Sequence, residues 1–263
     1  MTRICTIAQI VWLEMLRKKD LYVLLILLGA LLMVLVSLNI FGLGSVTGYI
    51  KDIGLLLTWV LGWIMAVSVT VKELPREESR RTIFPLLAKP ITRFELVLGK
   101  WLGAWSIVCV ATLLFYALVA LVVVGMGGSL SLVALLQGYI LHCGALGMIS
   151  AIALVFSTRM NSDAASTLTY VLTLASFLVV PKVPELMARE RGMWADGLLF
   201  LYNALPHFEI FDLRQRIVYG YGPVGLKTFV LVLLYGAIIV AVGILVSWMA
   251  YRRKRFKRGA MGQ

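Results

Sequence analysis

The stretch EESRRTIFPLLAKPITRFELVLGK, residues 77–100, is a charged, proline-broken island between two long apolar runs. What flanks it decides the fold. The chain is 61% hydrophobic and only 14% charged, whereas soluble domains carry about a quarter charged residues. Apolar segments recur at 21–43, 53–71, 96–126, 132–157, 164–181 and 227–250. The run from Leu21 to Phe41 follows Arg17, Lys18 and Lys19, as the apolar core of a signal peptide follows its basic start. As a helix it reaches roughly 31 Å, enough to cross a bilayer and too long for an apolar signal core of about 7–15 residues. The sequence therefore predicts an all-α integral membrane protein, one membrane domain over 1–263 with six spans.

The net charge of +12 would suit nucleic acid. The basic residues, however, sit between and after apolar runs, where positive charge sets membrane orientation, so nucleic acid is not an expected partner. With the amino terminus in the cytoplasm, eighteen of the 25 Lys and Arg residues fall on that side, and the short loops opposite hold only Lys51. This bias predicts a multi-pass protein of the cytoplasmic (inner) membrane with both termini in the cytoplasm and a basic tail at 251–263.

Ahead of the first span, residues 3–19 have a helical apolar arc of Ile4, Cys5, Ile7, Ala8, Val11, Trp12, Met15 and Leu16. Such a helix lies in the membrane interface, with Trp12, Arg17, Lys18 and Lys19 as anchors at lipid headgroup level. A helix packed on a partner is the alternative. Between spans five and six, residues 182–226 carry several prolines and an apolar stretch, 197–205, too short to cross; a re-entrant or interfacial external helix is expected there.

No catalytic constellation is evident. His142 lies in the fourth span near Gln137, and a polar residue at that depth is a functional candidate; a hydrogen bond across a helix contact is the favoured reading. His207, Glu209 and Asp212 lie close together in the external segment, but one histidine and two carboxylates make a weak metal signature, and no metal is expected. Cys5, Cys109 and Cys143 share no metal or redox spacing. Carboxylates are missing from the middle of every span, so ion-driven transport lacks its usual parts. No phosphate loop is present either: Phe94 stands where the first glycine would precede Gly99-Lys100. The driving force is expected from another chain.

The island itself holds a local signal. Thr92-Arg-Phe-Glu95 is a capping box, so the third helix starts at Thr92. Gly99 and Gly103 form a small-xxx-small pair suited to close helix contact. Ahead of them, 77–87 reads as a short helix whose Ile83, Phe84, Leu86 and Leu87 face something other than water: a docking knob, or a loop packed on its own bundle.

Residues 77–100 resemble the first intracellular loop of exporter-type ABC permeases, the type-2 membrane superfamily. The matching residues are Glu77, Glu78, Thr82, Leu86, Leu87, Pro90, Arg93, Gly99 and Lys100; Ile83 replaces the usual Leu, Arg81 stands where many members have Gly, and Pro85 is unusual. The amino-terminal helix is similar to the family's elbow helix, and the whole chain looks most like permeases related to the one that matures nitrous-oxide reductase. The resemblance implies a coupling segment within 72–95, with Glu77, Glu78, Arg81, Thr82, Ile83, Phe84, Leu86, Leu87, Pro90 and Arg93 meeting a separate ATPase. It implies two permeases, as a homodimer, with two ATPase subunits that carry ATP and Mg, and no cofactor on this chain. It also implies a path beside the second and fifth helices; on the fifth, Ser166, Thr169, Thr173 and Ser176 are the candidates to line it. A periplasmic partner could meet 182–226. The competing reading is a membrane scaffold that recruits a cytosolic protein without transport.

Overall fold

The computed structural model describes residues 2–17, 20–37, 46–79, 92–189 and 193–252. Every regular element among them is helical: α1 (Thr2–Arg17), α2 (Asp20–Ser37), α3 (Val46–Ser79), α4 (Arg93–Gly125), α5 (Leu132–Ser157), α6 (Ser162–Val179), α7 (Val183–Arg189), α8 (Met193–Ala204), α9 (Arg214–Tyr219) and α10 (Leu226–Arg252). Short 3-10 turns stand at Val180–Lys182 and Phe208–Phe211.

Local chemistry sets the helix starts. At α4 the capping box is present: Glu95 N–H donates to Thr92 Oγ1 at 3.2 Å, and Thr92 N–H donates to Glu95 Oε2 at 2.8 Å. Ser131 caps α5 through the Ala134 N–H, and Asn161 caps α6 through the Ala164 N–H. Each side chain satisfies a backbone donor that has no partner within its own helix.

Among the described residues, five helical stretches are long and apolar enough to cross a membrane: Thr47–Pro75, Arg93–Gly125, Leu132–Ser157, Ser162–Met187 and Leu226–Arg252. α2 contributes a shorter apolar stretch, Tyr22–Val34; residues 38–43 of the span expected at 21–43 lie outside the described residues. Three boundaries differ from the sequence reading, the first being the start of α3 at Val46 rather than 53. α3 does not end at 71 but runs through Pro75 to Ser79, because Glu73 and Leu74 turn inward and are buried. The fifth crossing stretch does not end at 181 but passes Pro181 and Pro184 to Met187.

α5 is the spine. In its apolar window 72% of residues are buried, against 11% in α10. α3, α4, α6 and α10 pack around α5, with α1 and α2 outside α4. α1 docks by its apolar arc: Ile7, Val11 and Met15 are buried. The glycine pair on α4 allows this. A Cβ at Gly99 would sit 2.9 Å from Ile7 Cβ, and one at Gly103 would sit 2.8 Å from Val11 Cβ. The close contact foreseen for the pair is therefore made with α1, which packs on α4 along its buried side.

Gly103→Leu is expected to lower the unfolding temperature of the detergent-purified protein by several degrees, since overpacking costs about 1–3 kcal/mol. Gly125→Leu is the control, because a Cβ there meets nothing within 4 Å. Equal unfolding temperatures for the two variants would show that α1 does not sit against Gly103.

Candidate functional site

The segment expected to couple to an ATPase joins α3 to α4. Glu77 and Glu78 lie on the last turn of α3, so the short helix read at 77–87 begins as the end of a long one. Arg81, Thr82, Ile83, Phe84, Leu86, Leu87 and Pro90 lie outside the described residues, as do Lys18 and Lys19. What the structure places is the base from which the segment hangs.

That base is held by an ion pair the sequence did not reveal. Lys100 Nζ donates to Glu73 Oε2 at 3.0 Å, and the two side chains are 3% and 1% exposed. Burying either charge alone is costly; together they tie α3 to α4 just before the one helix leaves and just after the other begins. Arg93 adds a second tie. Its Nη1 donates to the Tyr251 and Arg252 carbonyls at 3.1 and 2.7 Å, in the last described turn of α10, where a cation is favoured. The start of α4 thus gathers α1, α3 and α10.

Arg17 is exposed as the final residue of α1. Trp12 is half-buried, and its indole donates to Ser106 Oγ on α4 at 2.7 Å.

The hydroxyls expected to line a path on α6 divide by depth. Ser166 is half-buried near the helix start and bonds the Asp163 carbonyl. Thr169, Thr173 and Ser176 are fully buried and back-bond their own helix. Thr173 Oγ1 also accepts from Trp63 Nε1 on α3 at 2.9 Å. Past Thr167, the exposed side of α6 is apolar, with Leu168, Val171, Leu174 and Leu178. Between α3 and α6 lies a groove of about 110 Å³, walled by Leu56, Trp59, Val60, Trp63, Leu174 and Phe177, with Arg214 at its edge.

Behind this groove an aromatic cluster fixes the other end of the bundle. His142 is fully buried and stacks on Trp59, with ring centroids 4.3 Å apart and planes within 6°. Among the described residues neither ring nitrogen has a hydrogen-bond partner, which corrects the expected hydrogen bond across the helix contact. The nearby hydroxyl of Thr112 is committed to the Val108 carbonyl, and Gly62 opens the space the imidazole fills. Gln137 instead exchanges two hydrogen bonds with the backbone of Val224, at 2.8 and 3.1 Å.

The segment 182–226 is anchored by Phe208 and Phe211, both fully buried. The Phe211 ring occupies notches left by Gly144 and Gly236, where a Cβ would meet it at 3.1 and 2.9 Å. Arg214 is paired with Asp212 at 2.6 Å, and its guanidinium lies 5.9 Å from the Trp59 ring centroid. His207 bonds the Tyr235 hydroxyl, and burial raises the Glu209 carboxyl above its ordinary range while His207 opposes the rise. Among the described residues, no three histidine, cysteine or carboxylate side chains converge as metal ligands would.

Lys100→Met alone is expected to cost about 3–5 kcal/mol, because it leaves Glu73 as a lone buried charge. The double variant Glu73→Leu/Lys100→Met should recover most of that loss. A denaturant or thermal double-mutant cycle on the purified protein reads this; additive losses would mean that the two charges do not interact.

The comparison with curated proteins finds no similar sequence. A family model does match. The ABC-2 family transporter protein model covers residues 13–258, from within α1 to beyond the end of α10. With most of its length matched, the chain belongs to the ABC-2 transporter family, whose members are membrane subunits of ABC transporters.

Proposed function

We propose that this chain is the membrane-spanning subunit of an ATP-driven exporter, powered by a separate ATPase that docks on residues 77–90. The observation that carries the reading is the Glu73–Lys100 pair. A docking segment transmits force only if its two flanking helices move together, and a buried ion pair joins those helices where the segment attaches. Arg93 and the α1–α4 contact extend the same rigid unit to α10 and α1.

In this reading α2 supplies the sixth span, both termini are cytoplasmic, and α1 is the elbow helix on the inner surface of the cytoplasmic membrane. Two copies form a homodimer with two ATPase subunits, which carry the ATP and Mg; this chain is non-catalytic. Apolar Ile83, Phe84, Leu86 and Leu87 give most of the contact energy with the ATPase, while the surrounding basic residues orient it. The path runs beside α3 and α6, with Ser166 near its cytoplasmic mouth and Thr169, Thr173 and Ser176 forming a polar layer behind Trp63. Within the family the chain is read as similar to permeases related to the nitrous-oxide reductase maturation permease, and 182–226 is the segment assigned to a periplasmic partner.

The test is a pull-down of tagged chain from its native membrane in mild detergent, with ATPase activity and complex mass measured. One ATPase subunit per copy of this chain should co-purify. Phe84→Asp and Leu87→Asp should each abolish co-purification while leaving insertion and yield unchanged. Retention of the ATPase at wild-type strength by both variants would exclude this docking segment. A stable chain with no ATPase bound would favour the membrane-scaffold reading.

A further inference from the structure

At the end of the bundle opposite Thr92 and Arg252, three elements meet around a cavity of about 420 Å³. Its walls come from the beginning of α3 (Lys51), the turn into α5 (Ser129, Leu130, Ser131 and Ala134), and α9 with the glycine turn that follows it, Arg216 to Gly222. The size falls within the range of small-ligand sites, roughly 300–1,000 Å³. Two lining side chains, Lys51 and Arg216, are cations, and among the described residues no carboxylate lines the cavity. Lys51 Nζ donates to the Ser129 carbonyl at 2.6 Å. That bond holds the ammonium at the cavity wall, and an ammonium has three donors, so two remain for a ligand. Arg216 is exposed and brings a planar fork of donors suited to a phosphate.

The position of Lys51 carries further weight. Basic residues are concentrated at the other end of the chain's spans, where they set orientation. Lys51 is alone among the short connections at this end, so orientation does not account for it. The surroundings indicate depth. Tyr219 and Tyr221 are 66% and 70% exposed with ring centroids 6.0 Å apart, and Leu132 and Leu226 are 67% and 74% exposed. Exposed tyrosines at a polar recess, with the exposed Leu132 directly following Ser131 of its wall, match the headgroup level of a bilayer, where amphipathic rings concentrate.

We propose that this cavity binds the anionic phosphodiester headgroup of a membrane lipid, with Lys51 and Arg216 as its two cationic contacts. The site is independent of ATPase docking, since it lies at the opposite end of α3 and α4. A soluble phosphate would offer the same charge and acceptors, but the apolar rim favours a ligand that also carries acyl chains.

The experiment uses the full chain purified in an uncharged detergent. Its thermal unfolding is followed during titration with phosphatidylglycerol, with diacylglycerol as the same apolar body without phosphate, and with inorganic phosphate. Phosphatidylglycerol should raise the unfolding temperature saturably, and diacylglycerol should not. The half-saturating concentration should rise at least about tenfold in Lys51→Gln/Arg216→Gln, the loss of about 1.4 kcal/mol of binding, while Lys51→Arg should stay near wild type. If the double variant fails to fold, Arg216→Gln alone serves, because that side chain is exposed and its loss leaves the core intact. Inorganic phosphate acting alone, with the same dependence on Lys51 and Arg216, would overturn the lipid assignment in favour of a soluble phosphate. Unchanged titration in the variants, or equal stabilisation by diacylglycerol, would remove the site altogether.

Discussion

The Glu73–Lys100 ion pair is the interaction on which the arrangement of the bundle rests. Most buried hydroxyls of this protein solve their hydrogen-bonding problem within one helix: Thr58, Thr112, Thr169 and Thr173 each bond a carbonyl four residues earlier. Such bonds are made in an isolated helix too, so they do not select one neighbour over another. Glu73 and Lys100 cannot be satisfied that way. Each needs the other, from a different helix, at one register and one rotation. A buried charge pair contributes little net stability over an apolar pair of similar size. Its effect is to penalise every packing of α3 on α4 that separates the two charges.

The other end is fixed by different means. Phe208 stacks on Phe177 with ring centroids 5.6 Å apart, Phe177 meets Trp59 edge-on at 5.4 Å, and His142 lies flat on Trp59. This chain of rings joins the segment after α8 to α6, α3 and α5. Its energy is mostly buried area, with about 0.5–1.5 kcal/mol more for each well-placed ring pair. Rings tolerate sliding far better than an ion pair tolerates separation. The bundle is therefore locked in register at the Thr92 end and held by adaptable contacts at the other.

How much of this was legible depends on how local each signal is. The capping box at Thr92 and Glu95 could be read because its partners are three residues apart. The glycine pair at 99 and 103 announced a close contact, but spacing on one helix does not name the neighbour, which is α1. The extension of α3 to Ser79 was hidden: Lys72, Glu73, Pro75, Arg76, Glu77 and Glu78 have the composition of a loop, and the partner that lets Glu73 stay inside lies 27 residues away. On α6, both the polar residues and their direction are written in the spacing. Positions 169, 173 and 176 recur at helical spacing and share one face, and the exposed positions 168, 171, 174 and 178 are all apolar. That pattern places the hydroxyls toward α3. His142 has no periodic companion, so the sequence showed its depth and could not show that Trp59 would cover it.

The orientation of the α6 hydroxyls bears on what the proposed path could carry. A path beside α3 and α6 first presents Trp59, Trp63, Leu174 and Phe177, with the Arg214–Asp212 pair at one edge. Reaching Thr173 requires displacing the Trp63 indole that donates to it. In the state the structure describes, the groove would greet a substrate with rings and methyl groups, and only then with a charge pair already neutralised by Asp212. A small, strongly hydrated ion would lose its water there and gain one guanidinium that is already engaged, so it would be excluded. A molecule with an apolar body loses little on entry. As a wall of the proposed path, the groove would discriminate by desolvation, and rotation of Trp63 away from Thr173 would uncover that hydroxyl.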